Sequence, residues 1–122
     1  MPHTFPLSPE QARHFAEDWI AAWNARDLAA ILRHYAPTVV LTSPVAARVT
    51  GQATVTGIDA LSRYFARGLE LYPELRFGLH DVFTGHSSVV LLYANQSGTR
   101  TAEWMDFNEE GQVIRVVAQY AA

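Results

Sequence analysis

The chain has 122 residues, 49% apolar and 17% charged, with a formal net charge of -3, which suits one domain built round one core. No run of Lys and Arg offers a nucleic-acid surface, no stretch is long and apolar enough for a membrane span, and the absence of Cys excludes disulfides and thiolate chemistry. A soluble, cytoplasmic protein that binds neither nucleic acid nor membrane is the expectation.

Residues 1-7 read as a short arm, because Pro2 and Pro6 oppose regular structure. Ser8-Pro9-Glu10-Gln11 is a helix start, with Ser8 as cap, Pro9 in the first turn and Gln11 at the capping-box position. Ala12, Phe15, Ala16, Trp19, Ala22 and Trp23 then recur at helical spacing, and the helix should stop near Asn24 or Ala25. Asp27 caps a second helix whose stripe is Leu28, Ile31, Leu32 and Tyr35, and Pro37 ends it. Val39 to Thr42 is a strand closed by Ser43-Pro44, and Val45 to Gly57 reads as a loop with a short strand near Ala53 to Thr56. Ile58 to Leu71 is a third helix, with Leu61, Tyr64, Phe65 and Leu69 on its inner stripe. Strands follow over about 74-84, 87-97, 99-108 and 112-120, separated by Gly85, Gly98 and Gly111. Helices first and strands last predict a single α+β domain over 1-122, with three N-terminal helices on one face of the sheet.

The strand around Glu103 carries the most chemistry. Side chains alternate along a strand, so Glu103, Met105 and Phe107 share one face, and Trp104 and Asp106 the other. A carboxylate in such company is either solvated and paired with Arg100 or Arg115, or buried with a raised pKa as a general acid. Trp19, Trp23, Tyr35, Tyr64 and Phe65 read first as core, since aromatics at helical spacing are ordinary packing. His80 and Asp81 adjoin in sequence but face opposite ways. His14 and His34 are expected in solvent on their helices. No spacing of His, Asp and Glu suggests a metal site, and no nucleotide or phosphate motif is present; neither metal nor cofactor is expected.

Three passages resemble the nuclear transport factor 2-like superfamily, in its SnoaL-like and ketosteroid-isomerase-like branch. They are Trp19 to Leu28 with Tyr35-Ala36-Pro37; Ser43-Pro44 with Thr56 to Leu61 and Tyr64-Phe65; and Glu103 to Phe107 with Gly111 to Ile114 and Tyr120. The resemblance covers nearly all of the chain after Ser8. It implies a cone, in which a strongly curved mixed or antiparallel sheet wraps the helices and encloses an apolar pocket. It also implies a homodimer through the outer sheet face, with Trp104, Val113 and Val117 pointing outward.

In ketosteroid isomerases a first-helix Tyr and a late-strand Asp donate to the oxyanion, and an Asp before a Pro moves the proton. By position these fall on Trp19, Glu103 and Ser43, so only the acid is kept. The second Asp of the epoxide hydrolase branch falls near Ala118, so that set is incomplete too. The resemblance places Trp19, Ser43 and Glu103 as the candidate catalytic group, and Tyr35, Phe65, Met105, Val116, Ala118 and Tyr120 round the ligand. Val90, Leu92 and Ile114 extend the expected apolar wall. Arg48, read in the loop at the pocket mouth, is a candidate for holding a carboxylate or phosphate.

Two functions follow. One is a metal-free isomerase, cyclase or dehydratase acting by acid–base chemistry on a small apolar, oxygen-bearing molecule. The other is a protein of the same fold without catalysis, either a small-ligand binder or an interaction module working through its dimer face.

Overall fold

The structure, a computed structural model, describes residues 4–122. Its element order is α1 (Pro9–Asn24), α2 (Leu28–Leu32), β1 (Tyr35–Thr42), α3 (Pro44–Thr50), β2 (Thr54–Thr56), α4 (Ile58–Leu71), β3 (Gly78–Thr84), β4 (Ser88–Ala94), β5 (Arg100–Phe107) and β6 (Val113–Tyr120). The first three residues of the expected arm lie outside the described residues. Leu7 is buried in the core.

The capping signals act where the sequence puts them. Ser8 and Gln11 form a reciprocal capping box on α1. The Asp27 carboxylate accepts from the Ala30 N–H at 3.1 Å to start α2. Between these helices Arg26 adopts a left-handed backbone with φ 57°. Its guanidinium donates to the carbonyls of Leu69 and Tyr72 at the end of α4, where a cation also complements the helix dipole. The Asn24 amide brackets Phe77, donating to its carbonyl at 2.9 Å and accepting from its N–H at 2.7 Å. These two residues tie the end of α1 to the segment between α4 and β3.

The structure corrects two boundaries. Residues 44–50 form helix α3, not a loop, so there are four helices and not three. Ser43-Pro44 both ends β1 and starts α3: its hydroxyl accepts from the Val45 N–H at 3.1 Å, with Pro in the first turn. Tyr35 belongs to β1 and not to α2. Pro37 is carried where the pairing of β1 with β6 shifts register, between Tyr35 and Val40, so the ladder loses little by its missing N–H.

The six strands form one mixed sheet in the order β2-β1-β6-β5-β4-β3, with β1 parallel to β6 and every other pair antiparallel. Helix α1 packs against β3 and α4 against β1, so the helices fill the concave side. The core there includes Trp19, Ile31, Leu61, Val89, Leu91, Met105 and Val116. No helix among the described residues is long and apolar enough to cross a membrane.

Two facings differ from expectation. On β4 the buried side chains are Val89, Leu91 and Tyr93, so Val90 and Leu92 lie on the opposite face. On β6 the register shifts where Asp106 pairs with Arg115 but Phe107 with Val113. That irregularity turns Val113 into the core, fully buried, and leaves Ile114 outside the buried set.

Gly57 caps α4 with φ 86° and ψ 155°, a region held almost only by glycine, while its N–H donates to the Val39 carbonyl at 2.7 Å. An added Cβ would meet only the Pro37 carbonyl oxygen, at 3.9 Å. Gly57→Ala is therefore expected to cost about 1–3 kcal/mol through backbone strain and not through a clash. Urea denaturation checks this; an unchanged midpoint would show that the turn relaxes freely.

Candidate functional site

A cavity of about 420 Å3 opens between the concave sheet face and the helices α1, α3 and α4. That is a volume suited to a small organic ligand. Trp19 and Trp23 come from α1, Ser43 and Arg48 from the strand end and helix after it, Tyr64 and Phe65 from α4, Tyr93 from β4, Thr101 and Glu103 from β5, and Ala118 and Tyr120 from β6. Two of these residues carry formal charge, Glu103 and Arg48.

Glu103 lies on the inner face of β5 and is buried. Neither Arg100 nor Arg115 pairs with it: Arg100 is exposed, and Arg115 lies opposite Asp106 on the outer face. Its observed partner is the Tyr93 hydroxyl, which donates to Glu103 Oε1 at 2.9 Å. Burial pushes the Glu103 carboxyl up to about 7, and the Tyr93 hydrogen bond pulls in the other direction. The carboxyl is thus half protonated near neutral pH, as a general acid or neutral donor requires.

The phenols around it stay protonated. Burial raises the pKa of Tyr35, Tyr64, Tyr93 and Tyr120, and the charge of Glu103 raises each of them further. Of these phenols Tyr93 is the one seen to donate to Glu103, and no second carboxylate is among the residues that line the cavity.

The other candidates divide in two. Ser43 lines the cavity, but its hydroxyl is committed to capping α3. It also stands by the Tyr64 and Tyr120 hydroxyls, where it partly offsets the upward push of burial. Trp19 lines the cavity, yet its indole N–H donates to the Tyr35 hydroxyl at 2.9 Å instead of to the open space. Its ring stacks on Phe77 at 5.8 Å and 13°. Phe65, Ala118 and Tyr120 line the cavity; Tyr35, Met105 and Val116 are buried and do not.

Tyr93, Thr101 and Trp23 are site residues that the sequence reading did not select. The Tyr93 signal was present: Asn95 to Thr99 form a tight hairpin that sets Tyr93 opposite Thr101 and Leu91 opposite Glu103. The Trp23 indole N–H and the Thr101 hydroxyl are both buried with no hydrogen-bond partner among the described residues. Leaving such groups unpaired is costly, and both residues belong to the cavity wall.

Outside the cavity, His80 is exposed on β3. His34 is not solvated as expected: burial lowers its pKa, and it stands 3.6 Å from Asp18, which opposes that shift. It borders a second, smaller cavity of about 270 Å3 with Phe15 and Phe107. No group of three His, Asp or Glu among the described residues is placed to hold a metal ion.

The sequence pattern of the SnoaL-like domain family matches residues 16–121. The chain is similar to a SnoaL-like protein of unknown function from Burkholderia thailandensis E264. The two share 31% identity over 96% of this chain and 99% of that one, with a TM-score of 0.92. It also superposes on a candidate isomerase of the SnoaL-like family from Agrobacterium tumefaciens C58, at 16% identity over 93% of this chain and 99% of that one, TM-score 0.74. A candidate ketosteroid isomerase from Kribbella flavida matches at 17% identity over 93% and 79%, TM-score 0.70. The last two likenesses speak to the fold alone. No curated protein matches the chain significantly. The cone of helices in a curved mixed sheet and the match over residues 16–121 together establish that this chain belongs to the SnoaL-like domain family, within the nuclear transport factor 2-like superfamily.

Proposed function

We propose that the cavity binds a small, apolar, carbonyl-bearing molecule and that Glu103 acts on the carbonyl oxygen as a neutral hydrogen-bond donor or general acid. The observation that carries this reading is a buried carboxyl, tuned to about 7, at the wall of an apolar cavity. Protonating or polarising a carbonyl eases enol formation, so isomerisation, cyclisation or dehydration fits the site. Tyr93 supports the acid: its hydroxyl stabilises the carboxylate left after proton transfer.

The second reading is a binding protein without turnover. It is favoured by the missing base, since Ser43 caps a helix and the lining phenols are held neutral. Either form would work in the cytoplasm as a homodimer. The outer sheet face supports the dimer, because Phe83, Val90, Trp104 and Val117 fall in register across four strands as an apolar row.

The test is binding of a fluorescent naphthyl ketone that can only accept hydrogen bonds, 2-propionyl-6-dimethylaminonaphthalene. A neutral carboxyl donates to that ketone and a carboxylate cannot. Wild-type affinity should therefore fall as pH rises through about 7, and Glu103→Gln should bind with no such inflection. A flat wild-type profile would remove Glu103 from ligand recognition, and absence of binding to both proteins would remove the cavity as a ligand site.

A further inference from the structure

Arg48 is the one cation among the described residues that line the cavity. It stands on α3, exposed at the cavity rim, whereas the acid Glu103 is buried within. No ion pair among the described residues uses it. Arg48 and Tyr120 line the same cavity, the Arg48 charge is felt at the Tyr120 phenol, and Tyr64 and Ser43 belong to the same part of the wall. The rim thus joins a free guanidinium to two protonated phenols. Every one of these groups can donate, and none of them is bonded to a carboxylate among the described residues.

The placement of α3 explains why the cation is held at this point. Ser43 and Pro44 start the helix at the inner end of β1, and Ala46 is buried as its anchor. Arg48 lies in the last turn, where a cation also complements the exposed carbonyls of the helix end. A chain with net charge -3 carries positive charge on the wall of the cavity that holds its acid. While Glu103 is protonated, the lining as a whole is positive. Such a site discriminates by charge: an anionic head fits the rim, and the apolar body passes inward between the aromatic rings.

We propose that the ligand of this site is a carboxylic acid, an apolar keto acid whose carboxylate is held at the rim by Arg48 with the Tyr120 and Tyr64 hydroxyls while its carbonyl reaches Glu103. This rests on the reading of the cavity as a carbonyl-binding site and narrows it to one substrate class. A planar guanidinium suits a carboxylate because two N–H groups can meet its two oxygens in parallel. Phenols at the same place add neutral donors that confer direction without competing charge. The carboxylate also fixes which end of the ligand enters, so that the carbonyl and not the acid group meets Glu103.

The experiment measures calorimetric affinities of three probes on one ring system: 2-acetylnaphthalene, 6-acetyl-2-naphthoic acid and 6-acetyl-2-naphthyl phosphate. Wild type should bind the naphthoic acid at least about tenfold more tightly than the neutral ketone, the range of a charge-assisted contact, and that preference should shrink with added salt. In Arg48→Met the ratio should collapse towards one, while Arg13→Met, on the exposed side of α1 and outside the lining, should keep it. Equal affinities in wild type, or a preference that survives in Arg48→Met, would overturn the proposal while leaving the carbonyl site intact. A phosphate ester bound more tightly than the acid would overturn the carboxylate assignment. If the neutral ketone fails to bind as well, the underlying reading of the cavity falls with it.

Discussion

Glu103→Gln is expected to fold and to gain on the wild type as pH rises. The folded carboxyl titrates at about 7, whereas the unfolded chain releases the same proton near the ordinary carboxylate value. Below that ordinary value both states hold the proton, and the group makes no demand on folding. Between it and about 7 the unfolded state ionises first, so the wild type loses stability progressively; above about 7 the loss is complete. The size of the effect is about 3 kcal/mol, a large share of the total stability of a domain this size. Glutamine keeps an acceptor for the Tyr93 hydroxyl and has no proton to lose. Urea denaturation at about pH 5 and about pH 8.5 should show the gap between the two proteins widening in favour of Glu103→Gln. An unchanging gap would mean that Glu103 titrates normally. Tyr93→Phe, which removes the observed donor to the carboxylate, should move the wild-type transition to higher pH. Once a turned-over substrate is in hand, Glu103→Gln should lower the rate by about 100-fold or more. The burial that makes the charged form costly to the fold is the same burial that keeps a proton on Glu103 for donation near neutral pH.

Trp19→Ala should be the most damaging substitution away from the acid, at about 3–5 kcal/mol. Trp19 is almost fully buried, stacks on Phe77 and lies against Trp23 and Tyr93. Removing it opens a space between α1 and the sheet and takes away the donor to the Tyr35 hydroxyl. Trp19→Phe separates the two losses. It keeps most of the ring contacts and removes only the hydrogen bond, which should cost about 1–3 kcal/mol because it leaves a buried phenol oxygen without its donor. Thermal and urea unfolding of the two variants measure the difference. Equal losses would mean that the hydrogen bond, not the packing, holds α1 in place.

The Ser8 capping box, the Asp27 cap, the Ile58–Leu71 helix and the Gly-punctuated strands depend on contacts within a few residues, so the sequence alone is sufficient to place them. The alternation around Glu103 is local as well: Thr101, Glu103, Met105 and Phe107 are all buried on one face. Other features were decided by distant partners. The run Val89-Val90-Leu91-Leu92 is apolar on both faces, so only pairing with β5 settled that Val89, Leu91 and Tyr93 point inward. The register shift on β6 that buries Val113 arises between two strands, and no pattern within one strand announces it. Ser43-Pro44 ends a strand and opens a helix with the same two residues, and local propensity does not choose between the two uses.

The site follows the same division. That a carboxyl would sit among apolar neighbours was written in the sequence of one strand, because alternation is a property of the backbone. Its burial, its Tyr93 partner and its titration near 7 came from cavity walls that helices α1, α3 and α4 and strands β4, β5 and β6 bring together. Desolvation is set by everything within a few ångströms, and the chain's order along its length carries no record of that distance.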